Sequence, residues 1–68
     1  MEEFKDILKD LRKRDGLTQR EVSSLLGISQ PSYIRYENGS SEPTITCLIA
    51  IADIFDVTLD ELVGRTRQ

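Results

Sequence analysis

The N-terminal segment has the apolar spacing of an amphipathic helix. Phe4, Ile7, Leu8 and Leu11 recur at i, i+3, i+4 and i+7, which places their side chains on one face of an α-helix. Basic residues fill the last turn before Gly16, and glycine commonly follows the end of a helix. The pattern therefore predicts a first helix that begins near Phe4 and stops at Gly16.

Polar residues then mark the start of two closely spaced helices. Thr18 is followed three positions later by Glu21, the arrangement of a capping box in which each side chain binds the other residue's free amide. Gly27 ends this second helix after Leu26, and Ser29 is positioned to cap a third. A turn of about three residues separates the two helices, which predicts a helix-turn-helix unit.

The third helix is predicted to have one buried side and one exposed side. Pro31 lies in its first turn, where the missing N–H has no intrahelical partner, and Gly39 suits the left-handed conformation that ends it. On a helix capped by Ser29, Tyr33 and Tyr36 fall together, and we expect them to be buried. The opposite side, which we expect to face out, carries Gln30, Pro31, Ile34 and Arg35.

Two more helices complete the pattern. Thr44 caps a fourth helix, and Thr58 with Glu61 forms a second capping box, opening a short fifth helix that ends at Gly64. No alternating strand pattern occurs, so the sequence predicts an all-α, compact five-helix bundle that forms a single domain over residues 1–68. The predicted buried stripe of the fourth helix is Ile45, Leu48, Ile51, Ala52 and Phe55.

Composition narrows the possible functions. The 68 residues are 38% hydrophobic and 31% charged, the profile of a globular domain too small for a large active-site cleft. The chain has no histidine and one cysteine, Cys47, which we expect to be buried apolar filler. We therefore predict no metal site, no cofactor and no catalytic pair of nucleophile and base. The apolar runs are too short to span a bilayer and the N-terminal segment is too charged for a signal peptide, so we expect a cytoplasmic protein without membrane contact.

The charge is acidic overall, and the acidic residues are spread along the chain. The formal net charge is −3. Residues 1–14 carry five basic and four acidic residues, whereas residues 15–43 and 44–68 each carry two basic and four acidic ones. We therefore expect modest affinity for a polyanion and few direct contacts with it.

The exposed side of the third helix has chemistry that suits DNA. The second helix of a helix-turn-helix unit can lie in the major groove and present its N-terminal half to base edges. Gln30 matches the donor and acceptor of adenine, Arg35 matches the two acceptors of guanine, and Ile34 can contact a thymine methyl group. The same residues could also be ordinary solvated positions, because a helix-turn-helix can be a packing motif alone.

Nearly the whole chain resembles the phage repressor and Cro family of helix-turn-helix proteins, the XRE type. The resemblance lies in two runs, LTQREVSSLLGISQPSYIRYENG and EPTITCLIAIADIFDVTLDELVG. Its most specific elements are Thr18-Gln19, Leu26-Gly27-Ile28-Ser29, Glu37-Asn38-Gly39, Pro43 and Leu59-Asp60-Glu61-Leu62. It implies a lambda-repressor-like domain that binds a double-stranded DNA operator and regulates transcription, usually as a repressor and as a homodimer on a two-fold symmetric site.

The resemblance also implies roles for single residues. Gln30 and Arg35 match base-reading positions. Pro31 and Ile34 complete this set, although Pro31 stands where many relatives have a polar residue and can offer only apolar contact. Gln19, at the start of the second helix, matches a phosphate contact, where free helix amides also favour an anion. The full set of implied phosphate contacts is Arg12, Gln19, Ser29, Ser32, Asn38 and Ser40.

Further implications concern structure and assembly. Arg12 and Glu37 match an ion pair that ties the first helix to the end of the third. The loop Ser40-Ser41-Glu42 departs from the family, because relatives often carry Lys or Arg there, so we expect this loop to bind phosphate weakly. The candidate dimer contacts, which could equally complete the core of the monomer, are Leu59, Leu62 and Val63.

Three other functions compete with a repressor. An enzyme is the weakest of them, because no nucleophile and base can be named. A protein-interaction module is consistent with the acidic composition and with Ile34 on an exposed helix face. A DNA-binding antitoxin, which binds a toxin as well as its own operator, has the same fold, and a toxin gene beside this one would favour it.

Overall fold

The computed structural model describes residues 3–65, which form five helices and no strand. The helices are α1 (Phe4–Arg14), α2 (Gln19–Leu26), α3 (Gln30–Asn38), α4 (Ile45–Phe55) and α5 (Leu59–Leu62). The predicted all-α fold with five helices is confirmed. Within these residues, no helix has the length and apolar character needed to cross a membrane.

Side-chain hydrogen bonds cap the starts of the last four helices, α2 to α5. The Thr18 hydroxyl accepts from the backbone N–H of Glu21 at 3.0 Å, and the Glu21 carboxylate accepts from the backbone N–H of Thr18 at 2.9 Å. Thr58 and Glu61 form the same reciprocal pair at the start of α5. The third and fourth helices also begin at their predicted hydroxyl caps. Each cap satisfies amides that the first turn of a helix leaves without a partner.

The turn between α2 and α3 has three residues, 27–29, and begins with the left-handed Gly27 that ends α2. Its φ of 70° lies in the left-handed region, which favours glycine. The backbone N–H of Ile28 then donates to the Ser23 carbonyl at 3.0 Å, closing the end of α2. Ser29 follows directly as the cap of α3. The two helices pack against each other and form the predicted helix-turn-helix unit.

The core draws side chains from every helix. Tyr33 is fully buried, as predicted, whereas Tyr36 is half-buried and packs on the edge of the core together with Cys47. The buried set is Ile7, Leu8, Val22, Tyr33, Ile51, Ala52, Phe55 and Leu62.

Ile45 is not part of the buried stripe of α4, so the prediction for this residue was wrong. Its side chain is 76% exposed, whereas Ile51 and Phe55 further along the helix are buried. Ile45 is the first residue of α4, and the core covers the later turns of this helix but does not reach its start. Periodicity identified the correct face of the helix but not how far along it the neighbouring helices extend.

The three apolar residues of the α5 region divide between core and surface. Leu62 is fully buried, whereas Leu59 and Val63 are 43% and 39% exposed. The suggestion that Leu62 contacts a second copy was therefore wrong, because its side chain completes the core beneath α5, which packs on α1 and α4. Leu59 and Val63 remain accessible to a partner.

Candidate nucleic-acid interface

The last turn of α3 contains a buried carboxylate. Glu37 is 2% exposed and forms the predicted ion pair with Arg12 of α1. Arg12 Nε donates to Glu37 Oε2 at 2.7 Å, and Arg12 Nη2 donates to Oε1 at 3.1 Å. Arg12 Nη1 also donates to the carbonyl of Leu17, just before α2, at 3.0 Å. One arginine thus connects α1 to the end of α3 and to the start of α2.

Two more donors complete the coordination of this carboxylate. Gln19 Nε2 donates to Glu37 Oε1 at 3.2 Å, and the Tyr33 hydroxyl donates to Oε2. We call Arg12, Gln19, Tyr33 and Glu37 the Glu37 cluster. Each carboxylate oxygen accepts two hydrogen bonds, and these bonds offset the cost of removing the charge from water. The cluster therefore connects α1, α2 and α3 through one buried carboxylate.

Protonation in the cluster follows from these contacts. Burial alone would raise the pKa of Glu37, but the hydrogen bonds from Arg12, Tyr33 and Gln19 outweigh it, so the net pKa lies below the ordinary value. Burial and the bond to Glu37 raise the pKa of the Tyr33 hydroxyl far above its ordinary value. At neutral pH the carboxylate is therefore charged and the tyrosine is a proton donor.

The cluster uses much of the hydrogen-bonding capacity of two predicted phosphate contacts. Gln19 is the first residue of α2, and its side-chain nitrogen has a second hydrogen that the bond to Glu37 leaves free. The Arg12 side chain is only 14% exposed, and three of its five N–H groups already have acceptors. Gln19 is therefore better placed than Arg12 to bind a phosphate, and both roles stay predictions.

The predicted base-reading side of α3 is open at three of its four positions. Gln30, Pro31 and Arg35 are exposed, whereas Ile34 is half-buried. Among the described residues, the Arg35 guanidinium has neither a hydrogen bond nor an ion pair, in contrast to Arg12 and Arg14. Less of Ile34 is accessible than the helical pattern suggested, so its contact area for a partner is smaller.

The hydroxyl groups at the start of α3 bond to each other. Ser29 Oγ accepts from the backbone N–H of Ser32 at 3.2 Å and donates to Ser32 Oγ at 2.9 Å. Ser29 is exposed and Ser32 is half-buried. Because the cap already uses these hydroxyls, a phosphate would have to share them with the helix.

A cation that sequence reasoning missed, Lys5 of α1, lies beside the end of α3. Asn38 and Ser40, two predicted phosphate contacts, are exposed beside Gly39. Lys5 of α1 lies across this glycine so closely that a Cβ there would be 2.9 Å from Lys5 Cδ. A groove of about 410 Å³ runs between these residues, and the Lys5 ammonium is 3.8 Å from the carboxylate of Glu3. No local sequence signal could reveal this contact, because Lys5 and Gly39 belong to different elements.

Several curated proteins are similar to the chain over most of its length. It is 41% identical over 93% of its residues to the HTH-type transcriptional regulator AnsR of Bacillus subtilis, of which it covers 54%. It is 40% identical over 91% of its residues to the phage transcriptional repressor RstR of Vibrio cholerae, covering 55% of it. The antitoxin PezA of Streptococcus pneumoniae is 38% identical over 88% of the chain, which covers 38% of that protein. The chain thus spans about half the length of the first two relatives, and less of the third.

Solved structures share the fold. The P22 c2 repressor bound to a synthetic operator superposes with a TM-score of 0.89, over 97% of this chain and 100% of that one, at 18% identity. Hydroxypropylphosphonic acid epoxidase from S. wedmorenis superposes with a TM-score of 0.80, over 88% of this chain but only 32% of the enzyme, at 31% identity. The fold therefore occurs both in repressors and as a part of an enzyme.

The sequence profile of the helix-turn-helix family matches residues 8–62. This range includes α2, α3 and the Glu37 cluster, together with the turn at Gly27. The chain belongs to the helix-turn-helix family, the phage repressor and Cro type that its sequence resembles.

Proposed function

We propose that the chain is a sequence-specific, double-stranded DNA-binding transcriptional regulator that acts as a repressor, with α3 in the major groove of its operator. One observation carries the proposal: Arg35 and Gln30 are exposed on the same helix whose opposite side holds Tyr33 and Glu37 in the interior. The buried side of α3 thus anchors the helix in the domain, while its exposed side is accessible to DNA. Rigid presentation of side chains to base edges is what direct readout requires.

Residues at the start of α2 and at the end of α3 are the candidate contacts to the DNA phosphates. Gln19 is the first residue of α2 and precedes α3 in the sequence. Asn38 and Ser40 lie at the C-terminal end of α3. Contacts to phosphates position a protein on the duplex without reading its sequence. Lys5, beside Asn38 and Ser40, adds a positive charge that the loop after α3 lacks.

The chain should select a duplex from random DNA and retain it in a salt-dependent manner. Each phosphate contact lowers log affinity by about 0.9 for each unit of log salt concentration. Because basic residues are sparse, we expect only a few phosphate contacts and therefore a shallow slope of log affinity against log salt concentration. Gel-shift titrations of the selected duplex at several salt concentrations measure it. Failure to retain any duplex at low salt after selection would contradict the proposed function.

Arg35→Ala should weaken operator binding by about 1–3 kcal/mol and relax the preference at one base pair, where we expect a guanine. The cause is the loss of two hydrogen bonds to one base. Binding to duplexes substituted singly at each position measures the effect. Arg65→Ala removes the same charge from an exposed residue after α5 and serves as the control. Equal losses for both variants, with unchanged base preference, would mean that Arg35 acts only through its charge.

We further propose that the regulator binds as a two-fold dimer. One recognition helix reads only a few base pairs, too few for a unique address in a genome. Two copies on half-sites about 34 Å apart would present their α3 helices to successive major grooves. Leu59 and Val63 are the candidate contacts, since both are partly exposed on the α5 side. Such a small contact would form mainly on DNA, where adjacent half-sites raise the effective concentration.

An antitoxin is the second candidate function. The similarity to PezA favours it, as do the exposed Leu25 on α2 and Ile49 on α4, which are 60% and 46% accessible. A toxin gene beside this one would support the antitoxin, whereas a divergent promoter without such a gene would support a separate repressor. For either function we propose that the chain acts in the cytoplasm. We also propose that it acts without catalysis, because it has no histidine and a single cysteine.

A further inference from the structure

We propose that Tyr33 is a positioning residue for DNA binding, whose hydroxyl acts through Glu37 to orient the Gln19 side chain toward a phosphate. The inference rests on the proposed function and adds a residue that does not itself contact DNA. Tyr33 is fully buried, so its effect on a ligand must pass through other residues.

The hydrogen bonds of the Glu37 cluster connect Tyr33 to Gln19 through the Glu37 carboxylate. Glu37 Oε2 accepts from the Tyr33 hydroxyl and from Arg12 Nε, whereas Oε1 accepts from Arg12 Nη2 and from Gln19 Nε2. Tyr33 and Glu37 are four residues apart on α3, which places them on the same side of the helix. The two oxygens belong to one rigid carboxylate, so holding Oε2 restricts where Oε1 can lie.

Tyr33 is suited to hold this position because its ring is part of the core. The ring belongs to the buried cluster to which every helix contributes, and a tyrosine side chain has only two rotatable torsions. The Glu37 side chain has three rotatable torsions and is more flexible, and Arg12 alone could follow it through small rotations. The hydroxyl therefore ties the carboxylate to the packed interior.

Gln19 is the residue through which the Tyr33 hydroxyl affects phosphate binding. One hydrogen of Gln19 Nε2 is used by Glu37, and the second stays free at the N-terminus of α2. A glutamine held in this way loses less side-chain freedom when it binds a phosphate than a mobile one does. Preorientation by Tyr33 should thus strengthen binding to every duplex equally, because phosphate contacts do not depend on base sequence.

Tyr33→Phe keeps the ring in the core and removes only the hydroxyl, so it tests the effect of the hydroxyl. We expect Tyr33→Phe in the full chain to weaken binding about two- to tenfold, the range for loss of one hydrogen bond. The loss should be equal for the duplex selected from random DNA and for an unselected duplex. Tyr36→Phe, on the half-buried tyrosine of the same helix, is the matched control and should bind normally.

A double-mutant cycle tests the route through Gln19. If Tyr33 acts by orienting Gln19, then Tyr33→Phe combined with Gln19→Ala should bind no more weakly than Gln19→Ala alone. Tyr36→Phe combined with Gln19→Ala should show only the loss caused by Gln19→Ala. Independent, additive losses for Tyr33→Phe and Gln19→Ala would overturn the inference while leaving DNA binding intact.

A measurement on the unsubstituted chain covers the case in which Tyr33→Phe fails to fold. The side-chain amide of Gln19 should be as ordered as rigid backbone, with an NMR order parameter near 0.85, whereas that of the exposed Gln30 should lie below about 0.6. In folded Tyr33→Phe the Gln19 value should fall toward that of Gln30. Equal mobility of the two amides in the unsubstituted chain would overturn the inference. Absence of any DNA binding by that chain would overturn the proposed function instead.

Discussion

Glu37→Ala should destabilise the domain by about 3–5 kcal/mol, the usual cost of removing one partner from a buried ion pair. The substitution leaves the largely buried Arg12 without its counter-ion and removes the acceptor of Tyr33 and Gln19. Domains of this kind are stable by only about 5–15 kcal/mol, so the variant should lose a large share of its stability. Chemical denaturation followed by circular dichroism measures the change.

The matched control is Glu42→Ala, which removes an exposed carboxylate from the loop between α3 and α4. Substitutions at such surface positions usually change the free energy of unfolding by less than about 0.5 kcal/mol. A loss for Glu37→Ala as small as this would mean that α1, α2 and α3 are held together by apolar packing alone. The cluster would then have no stabilising role.

The same carboxylate should make the domain sensitive to acid. Because the folded pKa of Glu37 is lower than the ordinary value of 4.5, its contribution is complete above that ordinary value and is lost as the pH falls through the lower folded pKa. Glu37→Gln cannot titrate at this position, so its free energy of unfolding should fall less steeply with acid than that of the unsubstituted chain. Identical slopes would contradict a charged Glu37 in the folded state.

Features that depend on residues a few positions apart could be predicted from the sequence. The capping boxes at Thr18 and Thr58 join residues three positions apart, so the sequence alone contains both partners. The same holds for the burial of Tyr33 and the exposure of Arg35, which follow from the 3.6-residue period of α3. Helix starts and the outward face of α3 were therefore predictable.

Features that depend on packing between helices could not be predicted in this way. Ile45 and Leu62 both lie on apolar patterns, but only the positions of neighbouring helices decide that the first is exposed and the second buried. Lys5 lies across Gly39 because α1 packs against α3. The ion pair between Arg12 and Glu37 was expected only from family resemblance, and the other two donors to Glu37 were not foreseen.

Leu62→Ala should reduce mainly the stability of the domain, whereas Leu59→Ala should reduce mainly its assembly on DNA. Leu62 is fully buried, and truncating a buried leucine costs about 2–5 kcal/mol because the lost contacts leave a cavity. Leu59 is 43% exposed, so its truncation should cost far less stability. If Leu59 contacts a second copy on DNA, its truncation should instead reduce the gain from adding a second half-site.

Two measurements separate these effects. Denaturation gives the free energy of unfolding of each variant, and footprinting on duplexes with one or two half-sites gives the cooperative gain. We expect Leu59→Ala to bind a single half-site as well as the unsubstituted chain does, and to lose binding only where two are present. An unchanged gain for Leu59→Ala would remove this residue from the dimer contact. Binding of one copy at saturation, without any gain from a second half-site in the unsubstituted chain, would rule out the dimer itself and leave the reading of DNA by α3 unaffected.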